Sequence, residues 1–210
     1  MTTSAAPRAP RVRMPRAERE EQILRIAEEV FAERGFQATT MEDIAERVGV
    51  TKPLIYEYFG SKEGLLSACI TRARSQLRVA TEAAWLAVGP DAPLEVVFRA
   101  GVAAFFAFID EHATAFVLTQ QEGAVATQAS PLIESIREQQ SAATMGTFRK
   151  APALTGVPDQ LLEGYVEVVI GACERVAVWR IRRPEVSADE ATEIVVSSLW
   201  GGLSALSSRG

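Results

Sequence analysis

The sequence has a single histidine, His112, among 210 residues. That scarcity alone excludes most side-chain catalysis. A Ser-His-Asp triad, a Cys-His pair or a two-His metal site each needs imidazoles that the chain barely supplies. Cysteine is almost as rare. Cys69 and Cys173 cannot build a disulfide scaffold or a cysteine-rich zinc site, so a reducing, cytoplasmic compartment is the expected home. Long apolar runs are missing too. The longest, Ala100 to Ile109, lies between Arg99 and Asp110 and reaches only half of the roughly 20 residues that a membrane helix needs. No apolar stretch of signal-peptide length follows Arg8, Arg11 and Arg13. Neither metal, cofactor nor membrane partner is expected. The best remaining enzymatic candidates, Cys173 or the pair Glu167 and Glu174, lack a base or metal to work with, so the chain reads as non-enzymatic.

What is present is an ordinary globular balance, 48% hydrophobic and 23% charged. The formal net charge of −5 argues, taken whole, against a polyanion partner. Its distribution changes that. Residues 1–75 hold 12 Lys+Arg against 11 Asp+Glu, while residues 76–210 hold 10 against 16. Residues 1–15 form an expected disordered basic arm, with Arg8, Arg11 and Arg13 spaced by Pro7, Pro10 and Pro15 and no acid among them. It is either a solubilising tail or an arm that adds phosphate or minor-groove contacts.

Helical periodicity runs almost throughout, and no segment alternates like a strand. Ile23, Ile26, Ala27, Val30 and Phe31 recur on one helical face that ends at Gly35. Thr40-Met41-Glu42-Asp43 resembles a capping box and opens a second helix that stops at Gly49. A short third helix opens at Thr51 with Pro53 in its first turn. Ser61 caps a long fourth helix, which runs to the breaker Gly89-Pro90-Asp91-Ala92-Pro93. Further helices are expected at about 94–111, 114–123, 131–149, 159–182 and 188–207, separated by proline turns. The fold class is therefore all-α, with about nine helices. A three-helix unit at 16–62 precedes a larger helical body at 63–210.

Residues Thr40 to Phe59 read as a helix–turn–helix. Gly49 supplies the turn, Ala45 allows close crossing, and Val50, Ile55 and Phe59 face inward. Lys52, Pro53, Leu54, Tyr56, Glu57 and Tyr58 remain outward on the short helix. Lysine, tyrosine and a compact apolar pair on one helix suit a major groove, where base edges and phosphates are reached together. On spacing alone an αα-corner of an ordinary helical domain stays open.

The extension to Gly60-Ser61-Lys62-Glu63 narrows that choice. Together with Phe31-Ala32-Glu33-Arg34-Gly35-Phe36, Thr39-Thr40 and Ile44-Ala45, it resembles the TetR family of bacterial transcriptional regulators over residues 18–68. Beyond residue 70 the likeness is one of layout. The resemblance implies phosphate contacts from Thr40, Thr51, Tyr56 and Lys62, and base contacts from Lys52, Pro53 and Leu54 on double-stranded operator DNA. Glu42 stands where some relatives have a polar contact, so a cytosine amine or no contact is expected there. Leu54 departs from the smaller residue common at its position and suits a thymine methyl.

The resemblance also implies a cavity in the body for a small-molecule effector. Phe105, Phe108, Phe116, Phe148, Val169 and Cys173 are the expected lining. Few charges accompany them, which points to an apolar or amphipathic ligand. The run Ala100 to Phe116 and the ending Ser198 to Leu203 also look like regulators of lipid metabolism within the family, implying a fatty acyl chain or its coenzyme A thioester. The last two helices carry stripes suited to a homodimer interface, for which Tyr165, Ala172, Val176, Trp179, Val195, Leu199 and Gly202 are the candidates. The same stripes could instead pack within one subunit.

Two function classes follow. One is a ligand-responsive repressor, homodimeric on a pseudo-palindromic operator. The other is a helical lipid- or drug-binding protein in which DNA binding is secondary, which the combination of Thr40, Lys52, Tyr56 and Lys62 argues against.

Overall fold

The computed structural model describes residues 14–113, 116 and 130–207. The arm expected at 1–15 and the helix expected at 114–123 fall almost wholly outside those residues. The elements are α1 (Arg16–Arg34), α2 (Met41–Val48), α3 (Lys52–Phe59), α4 (Lys62–Val88), α5 (Leu94–Glu111), α6 (Ser130–Phe148), α7 (Asp159–Ile181) and α8 (Ala188–Ser207), with a 3-10 turn at Pro152–Leu154. No strand occurs among the described residues, and none of their helices is long and apolar enough to cross a membrane.

The N-terminal unit forms because its apolar stripes meet and its helix ends are satisfied locally. Ile23, Ala27 and Phe31 of α1 are fully buried against Ile44 of α2 and Ile55 of α3. At the start of α2, Thr40 Oγ1 accepts from the Asp43 N–H at 3.1 Å, and Asp43 Oδ2 accepts from the Thr40 N–H at 2.9 Å. That reciprocal cap is worth on the order of 1 kcal/mol. Gly49 ends α2 at φ +78°, a left-handed position that favours glycine. At the next corner, a side chain on Gly64 would meet the Phe59 carbonyl oxygen at 2.2 Å, so α3 can end directly on the first turn of α4.

Leu65, Leu66, Cys69 and Ile70 of α4 complete this core, which therefore extends past the boundary expected at residue 62. Arg72 then ties α4 to α1. Its guanidinium donates to both oxygens of Glu28 at 2.8 Å and also to Glu21. Burial pushes the Glu28 carboxyl above its usual range, whereas the hydrogen bond from Arg72 holds that of Glu21 below.

From Leu77 onward α4 belongs to the second core, built with α5, α6, α7 and α8 around aromatic rings. Phe98 meets Phe148 edge-on at 6.3 Å and stacks on Trp200 at 6.5 Å, and Phe105 meets Phe106 and Phe116 edge-on. Such pairs add about 0.5–1.5 kcal/mol each beyond their burial. Leu162, Val169, Ala191, Leu206 and the interface candidate Val195 turn into this core. Internal packing wins at those positions, and Val195, 2% exposed, leaves the interface set.

Candidate nucleic-acid interface and ligand cavity

The outer face of the N-terminal unit is set by the roll of α3. Ile55 is fully buried, which turns Pro53, Tyr56 and Glu57 to solvent and leaves Lys52 and Leu54 at the flanks. Tyr56 is 42% exposed. Thr51, at the N-cap of α3, is exposed and its side chain makes no capping bond, so its hydroxyl is available to an acceptor. These six residues form one surface that begins at the N-terminus of a helix, where backbone N–H groups favour anions.

Three sequence-predicted contacts are placed differently. Tyr58 is half-buried against the N-terminal core, with the Arg16 guanidinium 4.6 Å from its ring centroid. The hydroxyl of Thr40 donates to Asp43 Oδ2 at 2.6 Å, so it meets a phosphate only by leaving that bond. Lys62 Nζ donates to the carbonyls of Phe36 and Thr39, both at 2.9 Å, and lies 4.3 Å from the Phe36 ring. Two of its three N–H groups thus hold the α1–α2 loop in place.

One feature of this surface was not legible in advance. Lys52 Nζ donates to Glu42 Oε2 at 2.7 Å, joining the start of α3 to the first turn of α2. The pair raises the Lys52 ammonium above its ordinary range through the Glu42 hydrogen bond. Glu42 therefore has a lysine for a partner in the free protein, and the cytosine amine expected for it must compete with that bond. Sequence distance hid the pair, because the contact crosses the turn at Gly49.

In the body, α4, α5, α6 and α7 enclose a cavity of about 580 Å³, counted with the space at its mouth. Phe105, Phe148, Val169 and Cys173 line it as expected. Phe108 and Phe116 do not. They close a smaller neighbouring space of about 280 Å³ with the Arg74–Glu174 ion pair, whose charges are 3.7 Å apart. Sequence reading missed Arg78, Thr81, Trp85, Gly101, Gln140 and Thr144, all on the main cavity wall. Their signal was weak, since each is an unremarkable residue on a long helix. Burial pushes the Cys173 thiol up to about 12, which makes it an inert wall group.

The outer surface of α7 and α8 exposes apolar and small residues between charged ones. Leu161, Val168 and Ile194 are 45%, 54% and 41% exposed, and a side chain on Gly164, Gly171 or Gly201 would meet open space. Of the expected interface residues, Gly202 is exposed but lies under the Tyr165 ring, and Tyr165 donates its hydroxyl to the Leu199 carbonyl. Ala172, Val176 and Leu199 are half-buried against their own core, and Trp179 carries the Arg183 guanidinium 4.8 Å from its ring centroid.

Family models match both halves of this architecture. The one described as bacterial regulatory proteins of the tetR family spans residues 23–69, and a tetracyclin repressor-like C-terminal domain spans residues 94–202. The chain belongs to the TetR family. Over 201 residues it is 30% identical to the HTH-type transcriptional activator FasR of Mycolicibacterium smegmatis, covering 91% of this chain and 86% of FasR. It is 34% identical to the regulator EthR of Mycobacterium tuberculosis over 119 residues, 53% of this chain and 54% of that one. The crystal structure of a TetR-like regulator from Rhodococcus sp. RHA1 aligns with TM-score 0.71 at 31% identity, covering 91% of this chain and 98% of that one. This TetR-family protein is a DNA-binding, ligand-responsive transcriptional regulator.

Proposed function

We propose that the protein is a homodimeric repressor whose α3 helices read two half-sites of a pseudo-palindromic operator, and that an apolar or amphipathic molecule in the body cavity releases it. The observation that carries this reading is the continuity of α4. Its first turn holds the α1–α2 loop through Lys62, its middle is tied to α1 through Arg72, and its later turns put Arg78, Thr81 and Trp85 on the cavity wall. One unbroken helix, Lys62–Val88, spans both sites. At 1.5 Å per residue it is about 40 Å long, so a small tilt at the cavity becomes a shift of several ångströms at α3.

Half-sites lie roughly 34–36 Å apart, and a dimer whose α3 helices no longer match that spacing loses one of its two contacts. Lys52, Pro53 and Leu54 are assigned to bases, and Thr51, Tyr56 and Lys62 to phosphates, with Thr40 joining them if it opens its cap. The dimer is assigned to the exposed stripes of α7 and α8 around Val168, Gly171, Ile194 and Gly201. Long acyl compounds are the first effector class to examine.

The experiment is footprinting of DNA flanking the protein's own gene, followed by mobility shifts with Lys52→Ala and Tyr56→Phe. Tyr56→Phe should weaken all sequences alike, and Lys52→Ala should also relax preference at one or two base pairs. A double variant with unchanged operator affinity would remove α3 from the interface. Transcription from the footprinted promoter gives the sign of control. Ligand-free protein that raises transcription would make this an activator, the role in FasR's name, and not a repressor.

A further inference from the structure

Among the described residues, one buried side-chain nitrogen on the cavity wall has nothing to bond. Trp85 Nε1 is buried and has no hydrogen-bond partner. The indole is held in place by α5, where a side chain on Gly101 would stand 2.6 Å from that nitrogen, so only glycine leaves it room. An unpaired buried N–H is costly, and within a cavity it marks the point where a ligand gains most.

Among the described residues, the hydroxyl protons and the charge of the other wall groups are already used, and how they are used narrows the ligand. Thr81 donates its hydroxyl to the Leu77 and Arg78 carbonyls at 3.1 and 2.9 Å, and Thr144 donates to the Gln140 carbonyl at 3.0 Å. The Gln140 side-chain oxygen accepts from Arg74 at 3.3 Å, so its amide offers only N–H. Arg78 pairs with Glu82 at 2.7 Å, and both side chains are about two-fifths exposed, which puts the pair where the cavity meets solvent. The remaining lining, including Phe98, Val102, Phe105, Phe148 and Val169, is apolar. Among the described residues, the N–H groups of Trp85 and Gln140 ask for an acceptor, and the cation of the wall, Arg78, is neutralised at the rim. A carboxylate drawn inside would lose its hydration without a free cation to replace it.

We propose that the cavity binds an uncharged molecule with an apolar body and one carbonyl acceptor, seated on the indole N–H of Trp85. Ketones, esters and amides have this chemistry; free acids do not. The proposal rests on the reading of the cavity as the effector site and names the acceptor that the effector carries there.

The test compares 2-decanone with its near-isostere 2-methyl-1-decene, which replaces the carbonyl oxygen by a methylene, and with decanoate. The indole ¹H–¹⁵N resonance of Trp85, assigned through Trp85→Phe, should move downfield with the ketone and not with the alkene. The ketone-to-alkene affinity ratio should fall about fivefold in Trp85→Phe, the scale of one hydrogen bond. Decanoate should bind more weakly than the ketone. An unmoved Trp85 resonance, an equal ratio in both proteins, tighter binding of decanoate that depends on Arg78, or no binding of any of the three would each overturn the proposal. DNA affinity is measured separately. A ketone that seats on Trp85 without changing DNA affinity would break the effector reading and leave this seat intact.

Discussion

The two cores of the molecule solve opposite problems with similar helices. The N-terminal unit is packed around Phe31, Ile44 and Ile55 and is laced outside by ion pairs between its helices. Arg34 reaches Asp43 at 2.8 Å, Arg47 reaches Glu33 at 3.0 Å and Lys52 reaches Glu42 at 2.7 Å. Two of its helix starts, at Thr40 and Ser61, carry side-chain caps. The body has larger rings but keeps a cavity among them, about 580 Å³ counted with the space at its mouth; caps do not set the two apart, since α8 has a reciprocal cap between Ser187 and Glu190 while α1 and α3 start without one. A reading head must hold its contact atoms in place, whereas a sensor must leave space for something to enter. α4 belongs to both cores, and the ways of separating them fall on it and its neighbours.

The largest expected effect lies on the outside of the body. Gly171→Arg with Gly201→Arg puts two cations where the chain has open space, so the monomer should keep its helicity. In a dimer those charges would be buried without partners, at several kcal/mol each. Sedimentation should show monomers, with operator affinity down by orders of magnitude. A variant that still sediments as a dimer places the interface elsewhere.

Next in size is the tie between the two cores. Arg72→Met leaves Glu28, 7% exposed, with its main counter-charge gone. Breaking such a buried pair costs about 3–5 kcal/mol. Glu28 already titrates above its ordinary range, so its share of stability is present at low pH and lost as the pH rises through its folded value. Removing Arg72 lifts that value further. The penalty, read by urea denaturation, should be largest at high pH and shrink as the pH falls through the folded value of Glu28, where the protonated carboxyl needs no cation. A penalty independent of pH would mean that Glu28 is not the group left stranded.

The contrast between a filled core and a hollow one can be tested by overpacking both. Ala27→Leu adds bulk at a fully buried site in the N-terminal unit and should cost about 1–3 kcal/mol. Cys173→Leu adds bulk at the cavity wall and should be near neutral by thermal melting, while it removes the response to cavity ligands. Equal penalties at the two sites would mean that the cavity is no more forgiving than the core.

The legibility of the two regions in the sequence differs for the same physical reason. Caps, the Gly49 turn and the stripes of α1 and α2 are local, so the helix–turn–helix could be read from nearest neighbours. The expected helix at 94–111 also matches α5, Leu94–Glu111, because Pro93 and His112 bound a mostly apolar segment. What failed needed tertiary knowledge. Both α7 and α8 carry apolar residues on more than one face, and periodicity does not say which of them look inward, so Val195, a candidate for the partner face, lies in its own core. Phe108 and Phe116 share a helical region with the cavity phenylalanines but close a separate space. Lys62, a phosphate contact by resemblance, is also a strut, because its ammonium reaches carbonyls more than twenty residues earlier in the chain.

The smallest expected effect concerns the Glu42–Lys52 pair. Glu42→Gln frees Lys52 and removes a carboxylate from the DNA-facing surface, so affinity for random-sequence DNA should rise a few-fold. The salt dependence should steepen by about one counterion per subunit. An unchanged slope would mean that Lys52 leaves Glu42 for phosphate in the native complex.

Coupling between cavity and operator through α4 is tested most directly by one pair of titrations. A cavity ligand is titrated into the free protein and into the protein saturated with its footprinted operator. Linkage requires DNA to weaken the ligand by the same factor that the ligand weakens DNA, on the usual scale of about 5–150-fold. Matching factors in that range are the expected result. Ligand affinity that is the same with and without operator would contradict the coupling and leave α4 as a joint between two independent sites.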